Sequence, residues 1–308
     1  MDYTLLLIVV LLVVIGLVIL YSTSAYNGQV KFHDSFYYLK KQAFATVLGI
    51  VLMLFVAGMD YHIWQRLAVF GYLAAVALSV AVMLFGREIN GSKRWLALGP
   101  FSFQPSEFAK VALILFLADL VTKNVKTIGK MWTLCRIMFW ILPIVGLVGA
   151  SNLSTAIIIL GIGVILIFVA SPKYAQFALM GIAGACFMGI FLALESYRLE
   201  RLAIWRNPEK YEKGYQTLQG LYAIGSGGVF GVGIGNSVQK LGFVPEAQND
   251  MIFSIICEEL GLAGAGIIVF LFLLLIWRFL LIASGSRDLI GALIRTGALA
   301  HMTLQVPL

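Results

Sequence analysis

The sequence predicts an all-α polytopic membrane protein, and three observations carry that expectation. Of 308 residues, 61% are hydrophobic and 12% charged, about half the charged share of an ordinary soluble domain. The apolar residues come in runs of the length that crosses a bilayer, roughly 17–25 residues each. The first of these, Thr4 to Tyr21, contains no charge at all. A soluble chain of this length would instead divide into domains with polar surfaces.

Nine apolar spans fall near 4–21, 42–58, 67–85, 105–121, 134–149, 153–170, 174–194, 251–280 and 289–306. No small-residue cleavage site follows the first, which reads as a permanent helix rather than a signal peptide. Pro105 suits the first turn of the fourth. A single helix over 134–170 would be about 55 Å long, nearly twice the hydrocarbon thickness. It is therefore divided at Ser151-Asn152 into a hairpin.

Lys and Arg in the short loops orient the chain. The 122–136 loop holds Lys123, Lys126, Lys130 and Arg136 and no acid, and placing it in the cytoplasm puts the N-terminus there too. Nine basic residues then lie in the inner short loops and six in the outer ones. One large extracytoplasmic loop remains, Glu195 to Asp250, 56 residues with six basic and six acidic side chains. Long loops concentrate function. Within it Tyr197–Trp205 mixes charged and apolar residues as an interfacial helix does. Gly225 to Gly235 reads as a flexible turn. Its Gly231-Val-Gly233-Ile-Gly235 run is no dinucleotide site, because no strand precedes it.

The net charge of +7 fits loops anchored at anionic head groups. No tract of five or more basic residues exists, which argues against nucleic acid. Cys135, Cys186 and Cys257 are few, far apart and beside apolar runs, so they read as small core residues.

Ionisable groups near or inside spans are costly, and each needs a reason. Glu107 and Lys110 sit three apart on one helix face and can pair. Glu258 and Glu259 lie two turns into the eighth span, about 100° apart around its axis, so at least one should face the bundle interior. Asp119 reads as a solvated helix end. Asp250 stands where the long loop meets the eighth span, either as a helix N-cap or as a working carboxylate. Lys93, Arg94, Arg201 and Lys240 are basic residues on the same outer side, able to anchor head groups or to hold phosphate oxygens.

Several strings resemble a known family. They are Gly91-Ser-Lys-Arg-Trp95-Leu-Ala-Leu-Gly99, Gln104-Pro-Ser-Glu107-Phe-Ala-Lys110, Gly214-Tyr-Gln216 with Gln219, and Ala223-Ile-Gly-Ser-Gly-Gly228. The most specific are Gly233-Ile-Gly-Asn-Ser-Val-Gln-Lys240, Pro245-Glu-Ala-Gln-Asn-Asp250 and Glu258-Glu-Leu-Gly261. In this order and in these loops they resemble the signature of the shape, elongation, division and sporulation (SEDS) family, over the whole of residues 1–308 as a single membrane domain. The Asn236-Ser-Val-Gln-Lys240 wording sits closer to the FtsW and SpoVE branch than to RodA. Two departures stand out. Ala150-Ser-Asn152-Leu-Ser-Thr155 replaces a family Gln-Pro-Asp-Leu-Gly-Thr, and the chain stops at Leu308, before the expected tenth span and its Pro-x-Thr-Gly and Ser-Tyr-Gly-Gly motifs.

The resemblance implies a peptidoglycan glycosyltransferase in the bacterial cytoplasmic membrane, polymerising lipid II at its outer face and releasing undecaprenyl pyrophosphate in cell division. Asp250 matches the family's catalytic aspartate. With it the resemblance implies substrate contacts from Lys93, Arg94, Arg201, Lys240 and Glu246, and supporting roles for Glu107, Lys110, Glu258 and Glu259. A divalent cation held by Asp250 is the alternative way to position the reacting hydroxyl. A class B penicillin-binding protein and other division proteins are the implied partners. Two other functions are weighed against this one. A lipid-linked precursor flippase would need polar groups strung across the bundle, whereas the intramembrane acids cluster towards one side. A non-catalytic division scaffold gives no reason for charges gathered at the membrane face.

Overall fold

The computed structural model describes residues 2–89, 92–98, 101–178, 181, 204, 206–286 and 288–306. The chain is mostly helical. Helices α1 (Tyr3–Phe32), α2 (Tyr37–Ala57), α3 (Tyr61–Phe85), α4 (Pro105–Lys123), α5 (Met131–Gly149) and α6 (Leu153–Ala170) come first. Then follow α7 (Tyr215–Ser226), α8 (Ile252–Ser284) and α9 (Leu289–Gln305). Six of them, α1, α2, α3, α5, α6 and α8, are long and apolar enough to cross a membrane. The seventh expected span, 174–194, lies mostly outside the described residues, as does the interfacial segment Tyr197–Trp205 apart from Ile204.

The described residues form two compact units, those of 1–58 with 183–275 and those of 59–182 with 276–308. In the second unit α4 is the centre. Ala109, Leu113 and Leu117 are fully buried against Ile141, Ile159, Ile162 and Leu293 of its neighbours. A helix enclosed by other helices can keep charges that a lipid-facing one cannot. That is why α4 keeps Lys110 and Asp119 buried, each paired with an exposed partner on the same helix, Glu107 and Lys123. Asp119 is not the solvated end the sequence suggested. It is buried, and accepts from Lys123 Nζ at 2.6 Å and Gln65 Nε2 at 2.9 Å.

The hairpin division holds: α5 ends at Gly149, and Asn152 caps α6 by accepting from the Thr155 N–H at 3.3 Å. Pro105 occupies the first turn of α4. The all-α expectation needs one correction, because the 86–104 loop contains a three-stranded antiparallel meander. β1 (Arg87–Ile89) pairs with β2 (Ser92–Leu98), which pairs with β3 (Phe101–Phe103) in the register Leu96↔Phe103 and Leu98↔Phe101. Short strands between two apolar spans satisfy backbone groups without needing an apolar run of their own.

In the first unit α1 and α2 form an antiparallel hairpin, closed where the Phe32 and Tyr37 rings stack. Buried Ile19 of α1 packs with Ile256, Cys257 and Ala265 of α8.

Candidate active site

Helix α8 is broken at Gly261, whose φ of 69° and ψ of −172° are open to glycine and strained for other residues. A break frees backbone groups on both sides, and at membrane depth each must find a partner. The glycine-rich turn supplies them. The N–H groups of Val232 and Gly233 donate to the carbonyls of Glu258 and Glu259, at 3.0 and 2.9 Å. Those of Leu262 and Ala263 donate to the carbonyls of Gly228 and Val229, both at 3.0 Å. Backbones this close leave no room for side chains: a Cβ on Gly231 would fall on the Glu259 carbonyl, and one on Gly227 on that of Cys257. The stretch read as flexible is a fitted wedge. In a sequence, glycines needed for room and glycines needed for freedom look alike.

The two acids before the break are both buried. Glu258 accepts from the Ser237 hydroxyl and from the Val238 N–H at 3.0 Å, fixing the start of a 3-10 turn at Gln239–Leu241. Glu259 accepts from Ser22 Oγ of α1 at 2.7 Å and from Lys240 Nζ at 2.6 Å, and the ammonium also donates to Ser22 Oγ at 3.0 Å. Lys240, expected among the phosphate-holding cations, is buried in this pair. Its side chain is 7% exposed and its charge is neutralised by Glu259, so it ties the loop to α1 and α8.

From this anchor the chain reaches Asp250. Val244 and Ala247 are buried with Ala223 and Ile255. Gln248 Oε1 accepts from Asn27 Nδ2 of α1 at 2.8 Å. Glu246 takes a left-handed φ of 52°, and its Oε2 accepts from Asn249 Nδ2 at 2.6 Å. The segment is anchored through Val244, Ala247 and Gln248, yet Asp250 is exposed. Among the described residues its carboxylate accepts no hydrogen bond. The N–H groups of Ile252 and Ser254 go to the Asn249 and Met251 carbonyls at 3.4 and 3.1 Å. The helix-cap reading thus has no bond to support it.

The second unit holds the other expected residues. Lys110 is 1% exposed, and its Nζ donates to Glu107 Oε2 at 2.8 Å and to Gln305 Oε1 of α9 at 2.6 Å. Arg94, on β2, is exposed, and its Nε donates to the Ser151 carbonyl at 3.1 Å. Lys93 stands opposite Glu88 in the β1–β2 register. Arg201 lies outside the described residues. Among the described residues no group of three or more His, Cys, Asp or Glu side chains could cage a metal ion. Sequence reasoning missed Ser22, Asn27, Ser237 and Gln248. Ser237 and Gln248 stand inside the family strings without a role of their own, and Ser22 belongs to the polar Ser22-Thr23-Ser24 run that interrupts an apolar helix.

Comparison with known proteins follows the same pattern. The family model for FtsW, RodA and SpoVE, described as a cell cycle protein, matches residues 3–308. The chain is 37% identical to stage V sporulation protein E of Bacillus subtilis over 318 residues, covering 99% of this chain and 85% of that protein. It is 33% identical to the probable peptidoglycan glycosyltransferase FtsW of Trichlorobacter lovleyi over 302 residues, covering 96% and 79%. Among solved structures, a chain from a study of how a peptidoglycan synthase complex coordinates polymerization and crosslinking aligns with a TM-score of 0.80 at 28% identity, covering 99% of this chain and 84% of that one. The rod shape determining protein RodA of Thermus thermophilus aligns with a TM-score of 0.70 at 26% identity, covering 99% and 83%.

Proposed function

This chain belongs to the FtsW/RodA/SpoVE family of cell cycle proteins and is an integral membrane protein, and from that premise we infer that it is a peptidoglycan glycosyltransferase. It polymerises lipid II into glycan strands at the outer face of the cytoplasmic membrane and releases undecaprenyl pyrophosphate, in cell division. The names of its relatives support the chemistry. The topology proposed with it has nine spans in residues 1–308, a cytoplasmic N-terminus and the 195–250 loop outside.

One observation carries the assignment of the base: Asp250 is an exposed carboxylate without a protein partner among the described residues, at the end of a short segment whose Glu246, Gln248 and Asn249 side chains are hydrogen-bonded. General base catalysis needs such a group, fixed in place but not already bonded. Asp250 takes the proton from the 4-hydroxyl of the acceptor N-acetylglucosamine. That oxygen forms the new bond to C1 of the donor N-acetylmuramic acid. The C1–O bond to the pyrophosphate breaks, and its electron pair leaves on undecaprenyl pyrophosphate. Cations oppose the charge that develops there, for which Lys93, Arg94 and Arg201 are proposed. Glu246 is proposed as a further substrate contact through the carboxylate oxygen that Asn249 leaves free. A class B penicillin-binding protein is the proposed partner, supported by the synthase complex whose chain this one resembles.

The test offers lipid II to the purified protein and resolves the products on a gel. Glycan strands support the reading. A flippase or a scaffold would leave the lipid II unchanged, and that result would overturn it.

A further inference from the structure

At the end of the second unit proposed to face the cytoplasm, basic residues gather without free acids. Residues 120–194 contain Lys123, Lys126, Lys130, Arg136 and Lys173 and no Asp or Glu. Lys123 is neutralised by Asp119 of its own helix. Lys126, Lys130, Arg136 and Lys173 are exposed, and among the described residues none of them pairs with a carboxylate. The 124–130 connection, which carries Lys126 and Lys130, has a fixed fold. Its Ile128 is fully buried, and the Thr127 and Lys130 N–H groups donate to the Asn124 and Thr127 carbonyls, both at 2.9 Å. Asn124 Nδ2 donates to the Leu120 carbonyl at 2.8 Å. Gln176 Nε2 donates to the Gly129 carbonyl at 3.0 Å, which fastens the segment after α6 to this turn. The Lys173 stem lies against Gly129, its Cδ and Cε 3.8 Å from where a Cβ would stand. The fold thus sets Lys173 beside the backbone that precedes Lys130. Two like charges are drawn together with no protein counter-charge, an arrangement that a bound anion relieves.

We propose that this platform binds the head group of an anionic phospholipid carrying two phosphates, held by Lys126, Lys130 and Lys173. Its position selects a lipid over an acidic protein segment. The cations flank the ends of α4, α5 and α6, and exposed Trp132 and Tyr174 stand within two residues of Lys130 and Lys173. Amphipathic rings belong at head-group level, and basic pockets between membrane helices take phosphate head groups. Charge selects the head group. Three unpaired ammonium groups exceed the charge of one phosphodiester and are better matched by two. The platform belongs to the second unit and the proposed base to the first, so this proposal and the glycosyltransferase reading are tested separately.

Binding is measured by native mass spectrometry of the detergent-purified protein with cardiolipin, using phosphatidylglycerol as the single-phosphate competitor. The variants are Lys130→Gln with Lys173→Gln, Lys126→Gln alone and, as a charge control, Lys31→Gln on α1. All four lysines are exposed, so these changes leave the core untouched. Wild type and Lys31→Gln should retain cardiolipin in preference to phosphatidylglycerol, and added cardiolipin should raise their melting temperatures. The double variant should lose about thirtyfold in cardiolipin affinity, and Lys126→Gln about fivefold. Equal retention of the two lipids by wild type, or wild-type retention by the double variant, overturns the proposal. Should the double variant fail to purify, wild-type retention by Lys126→Gln overturns it alone. A wild-type protein that retains neither lipid also overturns it and leaves the platform to an acidic protein segment.

Discussion

Lys240 donates to Glu259 across 2.6 Å, and neither side chain is more than 7% exposed. The pair closes the loop carrying Asp250 onto the stretch of α8 just before its break. Removing one partner leaves an uncompensated buried charge, which costs about 3–5 kcal/mol. Lys240→Met should therefore lower thermal stability by that order in detergent, and Lys240→Met with Glu259→Gln should recover part of it. If Lys240 instead held phosphate, Lys240→Met would melt as wild type does and raise KM for lipid II.

The break at Gly261 gives a second prediction. A Cβ there would strike Gly231 and Val229 backbone atoms, and the positive φ adds about 1–3 kcal/mol of strain for any other residue. Gly261→Ala should unfold at a markedly lower temperature. Gly266→Ala, five residues on in the same helix with open space around it, should melt like wild type.

A third prediction concerns pH. The Tyr61 hydroxyl donates to Asp288 Oδ1 at 2.7 Å, and this bond, aided by the Gly291 N–H, holds the Asp288 carboxyl below its usual range. A carboxyl with a lowered folded pKa contributes stability above its unfolded value, about 3.9, and that contribution is lost as pH falls through the folded value. Tyr61→Phe should thus melt lower than wild type at neutral pH, and the gap should shrink on acidification below about pH 4. A gap that stays constant to low pH would contradict the assignment.

Topology is tested by labelling single cysteines from outside the cell. Sites at Lys31 and Lys210 should react, and one at Lys126 should not. The reverse pattern would place the Asp250 loop in the cytoplasm and remove the polymerase reading with it.

What the sequence made legible depended on whether one residue sets the feature. Pro105 and Asn152 mark helix starts by their own chemistry, and both stand where expected. The start of α3 was placed at 67, but Asp60 caps it by accepting from the His62 N–H at 3.0 Å, six residues earlier. His62, Gln65 and Arg66 hid that first turn from an apolar count. Helix α1 runs to Phe32 rather than Tyr21 because Ser22 and Asn27 pack against Glu259 and Gln248 instead of lipid. Such partners lie more than 200 residues away in sequence, and no local pattern signals them. The same holds for Lys240: a basic residue in a polar loop reads as solvated until the fold brings Glu259 to it.

The most direct measurement compares wild type with Asp250→Asn in the lipid II polymerisation assay, alongside their melting temperatures. The substitution keeps the side chain's shape and removes its ability to take a proton. Since no bond among the described residues holds that carboxylate, the melting temperature should be unchanged. Polymerisation should fall by about a hundredfold or more. Activity of Asp250→Asn within about threefold of wild type, in equally folded protein, would contradict Asp250 as the base.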